Sequence, residues 1–231
     1  MISLVIPAYN NAHELPATLE SVFAQDRKDI EVIVVNDGST DNTDEFIVPY
    51  LDRIKYIKQD NGGAPKARNR GFAESKGDYV MFLDADIEMK SHCLARLQQA
   101  LNEYPDAAYA YPSFLWGWKE FKGQAFSYNE LKKMNYIHTS ALIRRSEFPG
   151  FDESLKKFQD WDLWLTMAKQ GKNGVWVDEA LYQVAPRKGG MSTWLPKIAY
   201  KIPWKKLGIT IPAIEKYENG LAVIRGKHGL R

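Results

Sequence analysis

Two carboxylates, Asp84 and Asp86, follow the apolar run Tyr79-Val-Met-Phe-Leu83. At the end of a buried element their mutual repulsion is costly without a cation. Hard oxygen ligands of this kind suit Mg2+ or Mn2+, which takes one or two carboxylates and completes its shell with substrate phosphate and water. A second cluster, Asn61-Gly-Gly-Ala-Pro-Lys-Ala-Arg-Asn-Arg-Gly71, joins a glycine pair to a helix start and the cations Lys66, Arg68 and Arg70. Backbone N–H groups at a helix N-terminus together with basic side chains make an anion site. Neither the Gly-Lys-Ser/Thr of a Walker loop nor a Gly-x-Gly-x-x-Gly occurs, which counts against a P-loop NTPase and a standard dinucleotide dehydrogenase. Two further polar stretches are Pro7-Ala-Tyr-Asn10 and Asn36-Asp-Gly-Ser-Thr-Asp41. Each alone is ordinary turn chemistry.

The elements around them explain why they count together. Short β-branched runs at Ser3 to Ile6, Ile30 to Val35, Ile54 to Lys58 and Tyr79 to Leu83 alternate with helical patterns, which predicts βαβ units around a mostly parallel sheet. The polar stretches then fall at the carboxyl ends of strands, where ligands bind in such sheets. Asn11 followed by Glu14 predicts an N-cap for the first helix, with Leu15, Leu19, Val22 and Phe23 as its apolar stripe; Asn42 and Glu45 start the second in the same way. A third helix is predicted from about Ala64 to Ser75, stopping at Gly77. Residues 104–150 are less regular, rich in aromatics and proline, with a strand expected at Thr139 to Arg144. Phe158 to Gln170 is again helical. Near the carboxyl end, Ile214, Tyr217, Leu221 and Ile224 form a stripe at helical spacing.

Composition sets the outer limits. The 231 residues carry 45% hydrophobic and 26% charged side chains, which excludes a disordered, collagenous or coiled-coil chain. One cysteine, Cys93, allows no internal disulfide, and a reducing, cytoplasmic location is expected. The amino-terminal residues lack a signal-peptide pattern, and no stretch reaches the roughly 20 apolar residues of a bilayer span. The net charge of +2 is a sum of opposites: residues 187–231 hold ten Lys/Arg against two Glu, a net of +8, and the preceding residues carry −6. The acidic front argues against nucleic acid as partner.

The ordered set of Pro7-Ala-Tyr-Asn10, Asn36-Asp-Gly-Ser-Thr-Asp41, Asn61-Gly-Gly with Ala67-Arg-Asn-Arg-Gly71, Gly77-Asp-Tyr-Val-Met-Phe-Leu-Asp-Ala-Asp86 and Gln159-Asp-Trp-Asp-Leu-Trp164 resembles the family 2 glycosyltransferases. The resemblance covers about residues 1–193. It implies an α/β GT-A fold, with a mixed, mostly parallel central sheet flanked by helices. It also implies metal-assisted transfer of a sugar, with inversion, from a UDP- or GDP-linked donor to an acceptor hydroxyl. Glycan and lipid-linked acceptors, as in cell-envelope polysaccharide synthesis, are the expected partners. On this resemblance residues 1–193 form the catalytic domain, with a nucleotide-binding half at about 1–103 and an acceptor-side half at about 104–193. Residues 194–231 form a basic, aromatic helical extension.

Carried over by position, Pro7, Tyr9 and Asp37 match the nucleoside site, Arg68 lies near the nucleotide, Asp84 and Asp86 match the metal motif, and Asp160 matches the catalytic base; Asn10 and Lys66 are further donor-binding candidates. The family's Glu-Asp pair is here Gln159-Asp160. A position near a helix start and the loss of a neighbouring like charge both favour the ionised carboxylate, so a weaker base is expected at Asp160. Arg187, with Lys188, stands in a loop that resembles one closing over the donor. His138, Trp116, Trp118 and Trp161 are candidates for the acceptor side, with structural packing the alternative reading for each. The extension from Trp194 either meets an anionic membrane at its inner, cytoplasmic face or packs on the domain or on a second subunit. A catalytically silent nucleotide-sugar binder and a nucleotidyltransferase stay open beside the transferase.

Overall fold

The computed structural model describes residues 1–185, 202, 204 and 211–230. Expectations that fall on 186–201, including the donor loop with Arg187 and Lys188, lie outside the described residues. A nine-stranded sheet forms the middle layer. It is built from β1 (Ile2–Ala8), β2 (Ile30–Asp37), β3 (Lys55–Gln59), β4 (Tyr79–Phe82), β5 (Ile87–Met89), β6 (Tyr109–Trp116), β7 (Lys119–Phe121), β8 (Leu142–Arg144) and β9 (Gly174–Val184). The order across the sheet is β3-β2-β1-β4-β8-β6-β9-β5, with β7 paired to β6. β3, β2, β1 and β4 are mutually parallel, β8 is antiparallel to both β4 and β6, and β9 runs parallel to β6.

The strand faces alternate as a doubly covered sheet requires. From β1, Ile2, Leu4, Ile6 and Ala8 join α1 (Leu15–Phe23) and α4 (Cys93–Glu103) in one buried cluster. Val5 points the other way, with Val80 and Phe82, toward α5 (Tyr128–Lys133) and α6 (Gln159–Lys169). α3 (Ala64–Glu74) packs on that same side through Ala67 against Ile33 and Val35. Gly71 of α3 lies so close to Val5 that a side chain there would collide with it.

Three local expectations differ from what forms. The first helix begins at Leu15 rather than after Asn11, because the Asn11 side chain is used to accept the Tyr9 amide at 3.1 Å. The second, α2 (Thr43–Phe46), is a single turn without a side-chain cap. The expected strand at Thr139 to Arg144 is shortened to β8, because His138 Nδ1 accepts the Ser140 amide at 3.1 Å and Ala141 donates back to Thr139, turning the chain before the sheet.

The last helix, α7 (Pro212–His228), packs on α6. Ile224 is fully buried, Tyr217 meets the Phe158 ring edge-on at 5.3 Å, and His228 Nε2 lies 2.7 Å from Asp162 Oδ1. Lys227 reaches Asp152 at 2.6 Å and Asp162 at 2.8 Å. No helix among the described residues is long and apolar enough to cross a membrane.

Candidate active site

The parallel strands deliver three loops to one edge of the sheet. After β1, Asn10 adopts a left-handed conformation (φ 53°), which asparagine tolerates. Its amide donates to Ser39 Oγ at 3.0 Å, and its Oδ1 accepts the amides of Thr40 at 2.8 Å and Asp41 at 3.3 Å. Asn10 therefore ties the first loop to the second. Pro7 is half-buried in β1, and the Tyr9 ring is exposed at the strand end.

Asp37 closes the third loop onto the second. Its buried carboxylate accepts Gln59 Nε2 at 2.7 Å and the amides of Gly62 at 2.9 Å and Gly63 at 2.7 Å. Three of its roughly four lone-pair sites are thus used inside the protein. Gly63 has φ +88° and starts α3, while a side chain on Gly38 (φ +73°) would strike the Asn61 backbone. Only glycine meets both demands. Lys66 is exposed and its stem covers Gly62.

One turn further along α3, Arg68 crosses the middle of the site. It is 3% exposed. Its Nη2 donates to Asp84 Oδ1 at 2.7 Å, its Nη1 to Gln159 Oε1 at 3.3 Å, and its guanidinium carbon sits 5.2 Å from the Phe151 ring centre. Gln159 Nε2 donates to the Leu155 carbonyl at 3.0 Å, which turns its oxygen toward Arg68. The residue before it, Phe158, has φ 59°. Such a conformation is strained for a bulky side chain. It is held by ring contacts to Trp161 and Tyr217, and it launches α6 with Gln159 and Asp160 facing the sheet edge.

Asp160 Oδ1 accepts the Trp161 amide at 2.9 Å, and its Oδ2 accepts Asn135 Nδ2 at 2.7 Å. Burial raises the proton affinity of Asp160 above the usual carboxylate value; the Trp161 amide, His138 and Arg68 oppose this, and Asp84 adds to it. Desolvation thus sets the direction of the shift at Asp160, upward from the free-carboxylate value, against the helix-terminus effect expected from the sequence. At Asp84 the balance is reversed. Burial disfavours its charge, yet Arg68, with His138 and the short Arg68 hydrogen bond, holds its carboxyl below the usual range. Two neighbouring carboxylates pushed in opposite directions are the arrangement that separates a permanent anion from a proton acceptor. His138 is kept toward its neutral form mainly by burial. The Ser140 amide on Nδ1 assigns the neutral ring's proton to Nε2.

Asp84 and Asp86 fit a divalent cation of the kind inferred from the sequence. On Asp84, Oδ1 accepts Arg68 Nη2 at 2.7 Å and no other donor among the described residues is seen on its carboxylate, so Oδ2 can serve an external ligand. The Asp86 carbonyl accepts the Ala185 amide at 2.9 Å, which fixes the turn presenting its side chain. No group of three His, Cys, Asp or Glu side chains gathers as a metal cage among the described residues. Mg2+ or Mn2+ bound through one or two carboxylates plus substrate phosphate needs no third protein ligand.

The aromatic candidates separate. Trp161 belongs to the core rather than the acceptor side: it is 4% exposed and its indole N–H donates to the Leu131 carbonyl at 2.7 Å. Trp116 is half-buried at the end of β6, and Trp118 is 95% exposed at the tip of the β6–β7 hairpin. That hairpin is joined to the carboxylate turn through β9, since Gly117 donates to the Val184 carbonyl at 3.1 Å and Ala185 donates to that of Asp86. Asn135 and the Arg68–Gln159 contact were not expected. Asn135 lies 25 residues from Asp160 in an aperiodic stretch, so no spacing pattern announces their hydrogen bond.

Comparison with known proteins gives the arrangement its class. Residues 1–349 of Staphylococcus aureus TarS, solved with UDP-GlcNAc, superpose with a TM-score of 0.72 at 20% identity over 93% of this chain and 69% of that one. A mannosyltransferase from Pyrobaculum calidifontis, solved with GDP-Man and Mn2+, gives 0.68 at 18% identity over 99% of this chain and 69% of that one. The fold is the GT-A type of α/β glycosyltransferase. The model of glycosyl transferase family 2 matches residues 3–157, and the chain belongs to that family. Among curated relatives, glycosyltransferase GlyA of Streptococcus pneumoniae is 35% identical over 141 residues, 59% of this chain and 18% of that protein. A Rickettsia typhi glycosyltransferase is 30% identical over 186 residues, 71% of this chain and 57% of its own length. The chain therefore spans well under two thirds of these relatives.

Proposed function

We propose that this chain transfers a sugar, with inversion, from a UDP- or GDP-linked donor to a hydroxyl of a glycan or lipid-linked acceptor. The observation that carries the reading is the half-buried Asp160, held by the Trp161 amide and Asn135, raised in proton affinity by desolvation and coupled to the Arg68–Asp84 pair. A general base must be ionised before reaction yet basic enough to take a hydroxyl proton as the new bond forms. The acceptor oxygen forms its bond to the anomeric carbon while its proton passes to the Asp160 carboxylate. The bond from that carbon to the β-phosphate oxygen breaks, and its electron pair leaves with the nucleoside diphosphate. Attack opposite the leaving group inverts the centre.

In this reading Pro7, Tyr9, Asn10 and Asp37 hold the nucleoside, and the remaining lone-pair site of Asp37 is open to a base N–H. Lys66 and Arg187 meet the diphosphate, and Arg68 keeps Asp84 ionised. Asp86 and Asp84 Oδ2 would hold Mg2+ or Mn2+, which supplies charge stabilisation to the leaving diphosphate. Neutral His138 offers an Nε2–H on the acceptor side, with Trp116 and Trp118 beyond it. The catalytic unit is 1–193. The packing of α7 on α6 favours a docked extension over a membrane-inserted one for residues 212–228.

The experiment is a panel of nucleotide sugars, UDP-N-acetylglucosamine and GDP-mannose among them, with and without Mn2+. Release of nucleoside diphosphate that depends on the cation is expected. Calorimetric donor binding without release would identify a silent binder, and release of pyrophosphate would identify a nucleotidyltransferase.

A further inference from the structure

The geometry points to Asn135 as the positioning residue of the base: it fixes the plane of the Asp160 carboxylate and presents a donor that favours its unprotonated form. This rests on the reading of Asp160 as the base. A carboxylate anchored at one oxygen can still turn about its Cβ–Cγ bond. Here the second oxygen is anchored as well, by Asn135 Nδ2 at 2.7 Å, while the first takes the Trp161 amide at 2.9 Å.

Asn135 is itself held so that only its NH2 can face Asp160. Its Oδ1 accepts the Ile137 amide at 3.2 Å, which settles which end of the carboxamide points inward. The surrounding segment is clamped to α6 on both sides. Trp161 Nε1 donates to the Leu131 carbonyl at 2.7 Å and Trp164 Nε1 to the Ile137 carbonyl at 3.0 Å. Both indoles stand on the helix that carries Asp160, so base and positioning residue are held on one packed unit. The other groups bearing on Asp160 are His138 before β8, Arg68 on α3 and Asp84 after β4. Each of these acts at longer range, and Asn135 alone among the side chains of the described residues donates a hydrogen bond to Asp160.

The test compares Asn135→Ala with the isosteric Asn135→Asp, reading nucleoside diphosphate release from UDP-N-acetylglucosamine and GDP-mannose with Mn2+. A purely structural asparagine would be replaced better by aspartate, which keeps the shape and can still accept the Ile137 amide. The inference predicts the opposite order. Asn135→Ala should lower kcat by about 10- to 100-fold, the worth of a hydrogen bond to a charged group, with donor KM within about twofold. Asn135→Asp should lower kcat further, because it sets one carboxylate against another. Thermal unfolding of the variants checks that they are folded. Parent-like kcat in Asn135→Ala, or Asn135→Asp at least as active as Asn135→Ala, overturns the inference. Asp160→Asn is measured alongside: if it keeps turnover, the base reading itself fails, and this inference with it, in a way distinct from a failure of Asn135 alone.

Discussion

The two halves of the molecule build their parts of the site by different means. In the half formed by β1 to β4, polar residues at strand ends are spent on their own loops. Asn10 binds the Thr40 and Asp41 amides, Asp37 binds those of Gly62 and Gly63, and Asp41 accepts the Ala12 amide at 3.0 Å. What such loops offer a ligand is backbone and a few side-chain lone pairs held rigidly. In the half formed by β6, β8, β9 and α6, half-buried site residues are held by segments anchored to buried rings. Trp164 stacks on Tyr109 with centroids 4.5 Å apart, and Trp161 and Trp164 anchor the segment that carries Asn135 and His138. Local turns suit the nucleotide-binding role proposed for the first half; the proton-accepting role proposed for Asp160 needs the desolvation that tertiary packing supplies. Arg68 joins the two, rooted in the first half and bonded to both Asp84 and Gln159.

The largest effect should come from breaking the second half at its packing. Trp164→Ala removes a fully buried indole, and a loss of about 3–5 kcal/mol in urea unfolding is expected. Cutting the joint comes next. Arg68→Met keeps bulk but loses a charged hydrogen bond, so about 1.5–3 kcal/mol of stability should go, and transfer should fall more than in any loop variant of similar stability cost.

A pH profile sharpens the contrast between the two carboxylates. Because Asp160 is raised, kcat should fall on the acid side at a pH above the ordinary carboxylate range. Gln159→Glu, by adding a like charge one residue away, should move that limb to still higher pH. An unmoved limb in Gln159→Glu would show that the limb does not belong to Asp160.

The dock of α7 should give a smaller effect. Lys227, with Ser154, lowers Asp152 from its ordinary 3.8 to about 2. A depressed carboxylate stabilises the fold above its unfolded value, and that contribution disappears as pH falls through about 2. The difference in unfolding midpoint between the parent and Asp152→Asn should thus be full at pH 6 and shrink below about pH 4. For a partly exposed pair it should stay under about 1 kcal/mol. Trp118→Ala should be smallest, within about 0.5 kcal/mol in stability, since the ring touches almost nothing; any loss of transfer in it would be a loss of acceptor contact.

Legibility in the sequence followed the same division. β1 to β4 and the loops after them were readable because strand periodicity and turn residues are local signals, and the βαβ alternation left few topologies. Asp84, Asp86 and Asp160 were singled out through motif order. The acceptor side was readable only in part: Trp161 suited either core or acceptor, and its packing against Leu131 decides for the core. The raised proton affinity of Asp160 and its bond to Asn135 depend on what α6 packs against, and no spacing along the chain encodes that. The helix start at Leu15 differs from expectation for a local reason instead, since Asn11 had a competing partner in the Tyr9 amide two residues away.

The most direct test is Asp160→Asn, with donor affinity measured by calorimetry and transfer by nucleoside diphosphate release. An isosteric amide keeps the fold and the donor loops but has no proton-accepting carboxylate. Transfer is predicted to fall by about 100- to 10,000-fold with donor affinity unchanged. Turnover equal to the parent would contradict the account.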